Sequence, residues 1–364
     1  MIPMRRREFL RWLAAMGGLA ASGGLVAACA PPAVLSPVPT EEVSPSPVVL
    51  RATPTSTAQA ASAAVPSPTQ GLEAPGTAPA PMAAPATPIP TPWSAPDLVV
   101  ARGGEPEDLV RRALAALGGL ERFVRPGDDV IVKPNICVAY HTYEYAATTN
   151  PWVVAALVRL ALEAGARRVR VMDYPFGGSP EEAYVRSGIQ EQVQAAGGQM
   201  ELMAPFKFAE VPIPQGQDLK RWTVYQEALK ADVLIDVPIA KHHSLARLTL
   251  GMKNLMGLIQ NRSAMHRNLG QRLADLASLF RPALTVVDAV RILVDNGPTG
   301  GRLEDVRKPD TIIVSPDIVA ADAYAATLFG LRPDDLDYVR AGAAMGLGRS
   351  DLRSLRVEEI SVGG

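Results

Sequence analysis

Two periods of apolar residues alternate along the second two-thirds of the chain. Leu109, Val110, Ala113, Leu114 and Leu117 recur at helical spacing behind Pro106 and ahead of Gly118-Gly119, which predicts a helix over 106–117. Val130-Ile131-Val132 is instead a short unbroken apolar run, as in a strand buried on both faces. Thr148-Thr149-Asn150 supplies a capping cluster and Pro151 a first helical residue, so a second helix is expected from 151 towards the terminator Gly165. The same reading predicts strands over 169–172, 233–237, 284–287 and 311–314, and helices near 224–231, 271–280 and 318–329. Strand and helix alternate, which is the signature of an α/β fold: a mostly parallel sheet covered by helices on both faces, with length enough for two lobes.

Composition confines that fold to residues 97–364. Seventeen of the 33 prolines lie between Pro31 and Pro96, a stretch with four charged residues and repeats of Pro, Ala, Ser and Thr. Such a segment buries too little apolar surface to offset the entropy of ordering, so 30–96 is expected to be a disordered stalk. Residues 1–29 read as an export signal. Arg6-Arg7-Glu8-Phe9-Leu10-Arg11 has the form of a twin-arginine motif, though Arg5 stands where Ser or Thr is usual. The apolar segment that follows is broken by Gly17-Gly18 and Gly23-Gly24, short for a spanning helix. It ends in Val26-Ala27-Ala28-Cys29, which resembles a lipobox and marks Cys29 for lipidation. The expected setting is therefore extracytoplasmic, with the twin-arginine export machinery and the membrane as partners; a retained N-terminal helix would also put the domain outside the cytoplasm.

A formal net charge of −1 and no lysine-rich run argue against nucleic acid as a partner. Two cysteines, Cys29 and Cys137, cannot make a disulfide framework, and no Cys-x-x-Cys pair is present to hold zinc or an iron–sulfur cluster. The chain has no Gly-x-Ser-x-Gly elbow, Walker loop, His-Glu-x-x-His or Gly-x-Gly-x-x-Gly, which removes the usual serine hydrolase, nucleotidase, zincin and dinucleotide dehydrogenase readings.

Candidate chemistry gathers where the expected strands end, the edge at which open α/β sheets collect ligands. The strands run into Lys133-Pro134-Asn135, Asp173, Lys241-His242-His243 and Asp288. The densest segment, 241–257, packs Lys241, His242, His243, Arg247, Lys253 and Asn254 between apolar residues and two glycines. Lysine and arginine suit a carboxylate or phosphate, and a histidine suits proton transfer or a metal. Adjacent histidines seldom point the same way, so one of the pair should face a site. The loop Asn296-Gly297-Pro298-Thr299-Gly300-Gly301 could wrap an anion with its N–H groups or be a plain turn. Asp317 is placed to cap the last predicted helix, Asp322 faces a site or solvent, His266 beside Arg262 and Arg267 is a weaker candidate, and Cys137 reads as a small buried thiol.

In order along the chain, Lys133-Pro134-Asn135, Thr148-Thr149-Asn150-Pro151, Ala164-Gly165-Ala166, Asp173, Lys241-His242-His243, Lys253-Asn254-Leu255-Met256-Gly257, Asp288 with Gly297-Pro298, and Asp317 to Asp322 resemble the motifs of the domain of unknown function 362 family. The resemblance spans essentially all of residues 97–364. It implies Lys133, Asn135, Asp173, Lys241, His242, Lys253, Asn254, Asp288 and Asp322 as motif positions and assigns a role to none. Relatives often carry an appended ferredoxin-like module, whose cysteines this chain lacks. The leading expectation is an enzyme or former enzyme with a cationic cleft for a small anion. In it Lys133 and Lys253 hold the anion, His242 is acid or base, Asn135, Lys241, Asn254 and Gly297 bind ligand, and Asp173, Asp288 and Asp322 are candidates for a divalent metal. The other readings are a non-catalytic ligand- or metal-binding lipoprotein and a scaffold whose polar strand ends satisfy one another.

Overall fold

A computed structural model describes residues 95–363. The twin-arginine motif, Cys29 and the proline-rich stretch up to residue 94 lie outside the described residues. Thirteen strands are defined within them: β1 (Leu98–Arg102), β2 (Asp129–Pro134), β3 (Arg168–Val171), β4 (Gln199–Met200), β5 (Phe208–Pro212), β6 (Arg221–Tyr225), β7 (Val233–Val237), β8 (Ile239–His243), β9 (Arg247–Thr249), β10 (Leu284–Leu293), β11 (Val306–Arg307), β12 (Thr311–Ser315) and β13 (Val357–Ser361). The main sheet runs β13-β1-β12-β10-β7-β2-β3-β4, while β5 and β6 form a separate antiparallel ribbon. One half is parallel, from β10 through β7, β2 and β3 to β4. β12 is antiparallel to both of its neighbours. The sheet is mixed and mostly parallel, and helices cover both faces.

The two faces follow from period-2 alternation along each strand. Leu98, Val100, Ile131, Leu234, Val287 and Ile313 enter one apolar core with the helices Leu269–Phe280, Ile318–Thr327 and Asp337–Ala344. Their neighbours Val99, Ala101, Val130, Val132, Ile235, Val286, Ile312 and Val314 enter the other, against Pro106–Ala116, Pro151–Glu163 and Ile189–Ala195. Residues 95–363 form one compact unit. Among them no helix is long and apolar enough to cross a membrane.

Most predicted elements are present, with the caps expected of them. The Asn150 side chain accepts from the Trp152 N–H at 3.0 Å with Pro151 at the first turn, and Asp317 accepts from the Ala320 N–H at 2.9 Å. Gly165 ends its helix at φ +89, in the left-handed region that glycine tolerates. Three segments differ. The helix expected from 224 begins at Gln226, because Val224 and Tyr225 pair with Ala209 and Phe208 in the β5–β6 ribbon. The strand expected over 284–287 continues to Leu293, since its far half pairs with β8 and β11. Residues 239–243, read as the segment into which the 233–237 strand runs, are the separate strand β8, displaced onto β10 where the ladder register shifts between Asp288 and Leu293.

Candidate functional site

The polar strand ends meet, but they divide into a buried network and a cavity above it. Lys133, with no exposed surface, ends β2 with its ammonium 2.7 Å from Asp173 Oδ1. Its Nζ also donates to the Pro134 carbonyl (2.7 Å) and to Asn254 Oδ1 (2.9 Å). With an ion pair and two hydrogen bonds, and no exposed surface, this ammonium is committed to the fold. Asn254 is the hub. Its Oδ1 accepts from both Lys133 and Asn135 Nδ2 (3.0 Å), and its Nδ2 donates to the Lys133 carbonyl (3.1 Å) and to Asp236 Oδ1 (2.8 Å). Lys241 Nζ is held by three neutral oxygens: Asn135 Oδ1 (3.0 Å), the Ala147 carbonyl (2.6 Å) and the Pro298 carbonyl (2.8 Å). Burial lowers the pKa of both lysines; for Lys133 the adjacent Asp173 and Asp236 partly oppose this.

The backbone fits closely around this network. Gly257 lies over the ion pair, where an added Cβ would collide with Asp173 Oδ1 and come within 2.5 Å of Lys133 Nζ. The Gly257 carbonyl accepts from the Tyr174 N–H at 3.1 Å, which ties the turn to the segment after β3 that carries Asp173. Asp173 Oδ2 accepts from the Ile136 N–H at 2.6 Å.

The cavity, about 340 Å³, is lined by Lys253, Arg262, His243, His266, Thr249 and Cys137, with Asn135, Asp173, Lys241 and Asn254 also reaching it and Tyr174, Phe176, Leu245 and Met256 as its apolar walls. The Lys253 side chain makes no ion pair or hydrogen bond with any described residue. Burial, aided by the nearby charges of Lys241, Arg262 and Lys133 and partly opposed by Cys137, pushes its ammonium down to about 8. Arg262 donates to the Tyr174 carbonyl and lies over the Tyr174 ring at 5.0 Å, but its buried Nε has no partner among the described residues. The buried Thr249 hydroxyl has none either. His243 Nδ1 accepts from the Leu245 and Ala246 N–H groups at 3.1 and 3.2 Å, which leaves the proton of the neutral ring on Nε2. Burial holds that imidazole neutral, with its pKa lowered to about 3.

Several expected site residues stand elsewhere. His242 does not line this cavity. Its Nδ1 accepts from the Gly297 N–H at 3.1 Å on the opposite side of β8, because consecutive strand residues face opposite ways. The Gly297 N–H is thereby occupied, and an added Cβ there would collide with the His242 carbonyl, so the glycine serves a close backbone approach. The three candidate metal carboxylates are not brought together. Asp173 pairs with Lys133. Asp288 accepts from the Asn150 N–H (2.7 Å) and Val290 N–H (3.0 Å), and Asp322 accepts from the Gly251 N–H (2.6 Å) and Met252 N–H (2.9 Å), each tying one segment to another. Among the described residues no group of three or more His, Cys, Asp or Glu side chains is placed to hold a metal ion. These residues do not fit a divalent cation. Thr249, the end of a three-residue strand, had no signal in the sequence, and Arg262, which begins the 3-10 helix Arg262–Asn268, entered it only as a neighbour of the weaker candidate His266.

A thylakoid-associated protein of Synechocystis sp. is 28% identical to this chain over 247 residues, 65% of this chain and 74% of that protein. Among solved structures, the lactate racemase apoprotein of Thermoanaerobacterium thermosaccharolyticum is similar with a TM-score of 0.38 and 14% identity, over 57% of this chain and 54% of that one. A Thermotoga maritima protein is similar with a TM-score of 0.36 and 15% identity, over 62% and 60% of the two chains. The family model described as a domain of unknown function (DUF362) matches residues 130–327, from the strand that ends in Lys133 to the helix that carries Asp322, and by that match the chain belongs to the DUF362 family.

Proposed function

We propose that the domain binds a small anion, a carboxylate or a phosphate ester, in the cavity beneath Phe176 and Leu245, and does so as a lipoprotein tethered outside the cytoplasm. The observation that carries the binding half is the pairing of Lys253 and Arg262, both half-buried, in one cavity with no carboxylate of their own. Asp173, which also lines it, is engaged by Lys133. Cations drawn partly out of water with no carboxylate committed to them are costly, and an entering anion would offset that cost. Arg262 offers a planar guanidinium that is already oriented by the Tyr174 ring, and Thr249 offers a hydroxyl. The tethering half rests on Arg6-Arg7, on Val26-Ala27-Ala28-Cys29 and on the proline-rich stretch that follows. The thylakoid association in the name of the Synechocystis relative agrees with a membrane setting.

Calorimetric titration of the full chain with inorganic phosphate and with acetate tests the binding half. Saturable binding of at least one is expected, weakened about tenfold in Lys253→Met and in Arg262→Met, the equivalent of one charge-assisted hydrogen bond each. Affinity should also fall as pH rises through about 8, where the Lys253 ammonium loses its charge. No binding of either anion, with both variants more heat-stable than the parent, would leave the cavity without this role.

A further inference from the structure

Lys253 is an amine with no partner among the described residues, in a cavity that also holds an oriented guanidinium and a histidine whose proton position is fixed. We infer that Lys253 is a carbonyl-reactive lysine that forms an imine with a small 2-oxo acid, whose carboxylate lies on Arg262. The inference rests on the anion-binding reading and names the substrate class of that same site.

Three features separate this lysine from the other two beside the cavity. Lys133 is committed to an ion pair and two hydrogen bonds and Lys241 to three hydrogen bonds, and both are buried, so neither nitrogen is free for attack. The Lys253 side chain is committed to none. Burial comes first, and Lys241 on β8, Arg262 after Asn261 and Lys133 on β2 add to it, all favouring the uncharged, nucleophilic amine; Cys137, in the same cavity, opposes them, and the outcome is still a lowered pKa. The remaining requirement is a handle that orients the electrophile. A 2-oxo acid carries its carboxylate next to its carbonyl, so one small molecule can engage Arg262 and present its carbonyl carbon to Lys253.

The step balances without a further reagent. The unprotonated Lys253 nitrogen adds to the carbonyl carbon, the π pair moves to oxygen, and that oxygen takes up one proton in place of the one nitrogen loses. The carbinolamine then expels its hydroxyl together with the second nitrogen proton as water, leaving C=N. His243 keeps its proton and can only hydrogen-bond the departing oxygen through Nε2–H, since its ring is neutral and its Nδ1 is committed to two backbone N–H groups.

Reductive trapping tests the inference. The full chain is incubated with pyruvate and sodium cyanoborohydride, digested, and the modified lysines located by mass spectrometry. Lys253 is expected to be labelled at least about tenfold faster than the exposed Lys230 and Lys308, which serve as internal references. Arg262→Met should slow labelling by pyruvate about tenfold more than labelling by propionaldehyde, which has no carboxylate and registers only the loss of a charge beside the amine. Folding of each variant is checked by its melt, and Lys253→Met should lose only the fast adduct. Labelling of Lys253 no faster than the surface lysines would overturn the inference, and if phosphate or acetate still binds, the anion site stands without it. Equal slowing of pyruvate and propionaldehyde in Arg262→Met would overturn the assignment of a 2-oxo acid.

Discussion

Lys133 and Lys253 belong to the same set of family motifs, yet their side chains meet opposite surroundings. Lys133 is buried and fully paired, so Lys133→Met strips a charge from Asp173 and should cost about 3–5 kcal/mol in denaturant unfolding. Lys253 is unpaired among the described residues, so Lys253→Met should leave the unfolding midpoint unchanged or raise it. The buried carboxylates make a second prediction for individual residues. Burial pushes Asp288 up to about 6 and Asp322 up to about 7, against the opposing pull of their backbone N–H donors. Unfolded, both would release their protons near ~4. Between those limits the folded state holds more protons, so this contribution to stability falls as pH rises from about 4 to about 7 and is constant beyond. His243 acts in the opposite sense: folded it is neutral above about 3, unfolded it stays charged up to about 6.5, so its contribution rises with pH over that interval. Comparing wild type with Asp322→Asn from pH 4 to 8 isolates the carboxylate, because the histidine is common to both. The stability of wild type relative to the variant should fall across that range by a few kcal/mol, since a tenfold change in proton affinity is worth about 1.4 kcal/mol. A relative stability that rose with pH would mean that Asp322 is ionised in the fold.

Among the secondary elements, the site depends on a tight turn laid over an ion pair. The Gly251–Asn254 helix receives Asp322 at its first N–H groups, passes Lys253 into the cavity and Asn254 into the network, and ends in the Leu255–Leu258 turn that brings Gly257 against Asp173. Gly257→Ala must displace the Lys133–Asp173 pair or the turn, and thermal melts should show a loss comparable to that of Lys133→Met. Gly330, at φ +70 with open space around its Cβ position, is the control: alanine there meets only left-handed backbone strain, about 1–2 kcal/mol. Equal losses at the two positions would show that the closeness of the turn has no special cost.

For the chain taken from end to end, the proposed function joins a cavity to an anchor. Cys29→Ser should abolish acyl labelling and move the exported protein from the membrane fraction to the soluble one, because a lipidated cysteine carries the two chains that stable anchoring needs. Retention of the Cys29→Ser protein in washed membranes, with labelling intact, would assign the attachment to another feature.

Much of this architecture was legible from the order of residues. Local signals are sufficient where they are dense: the alternation that splits Val130 and Val132 from Ile131 onto opposite faces, the Asn150-Pro151 start, and the Gly165 stop are each read from a few neighbours. The strand ends were legible as chemistry in the same way, and Asn135, Lys241, Lys253 and Asn254 do reach one cavity. What each residue does there was not legible, because it depends on partners far away in the chain. Lys133 is spent on Asp173 and on Asn254, 121 positions away, and Asp288 on Asn150, 138 positions away. The side of β8 that holds His243 rather than His242 follows from its register on β10 and β9, which no local pattern encodes. The order of residues was enough to say which polar groups stand where strands end. Which of them the fold satisfies, and which, Lys253 and Arg262, it leaves facing a cavity, emerged with the packed chain, because hydrogen-bond capacity is used up by neighbours in space.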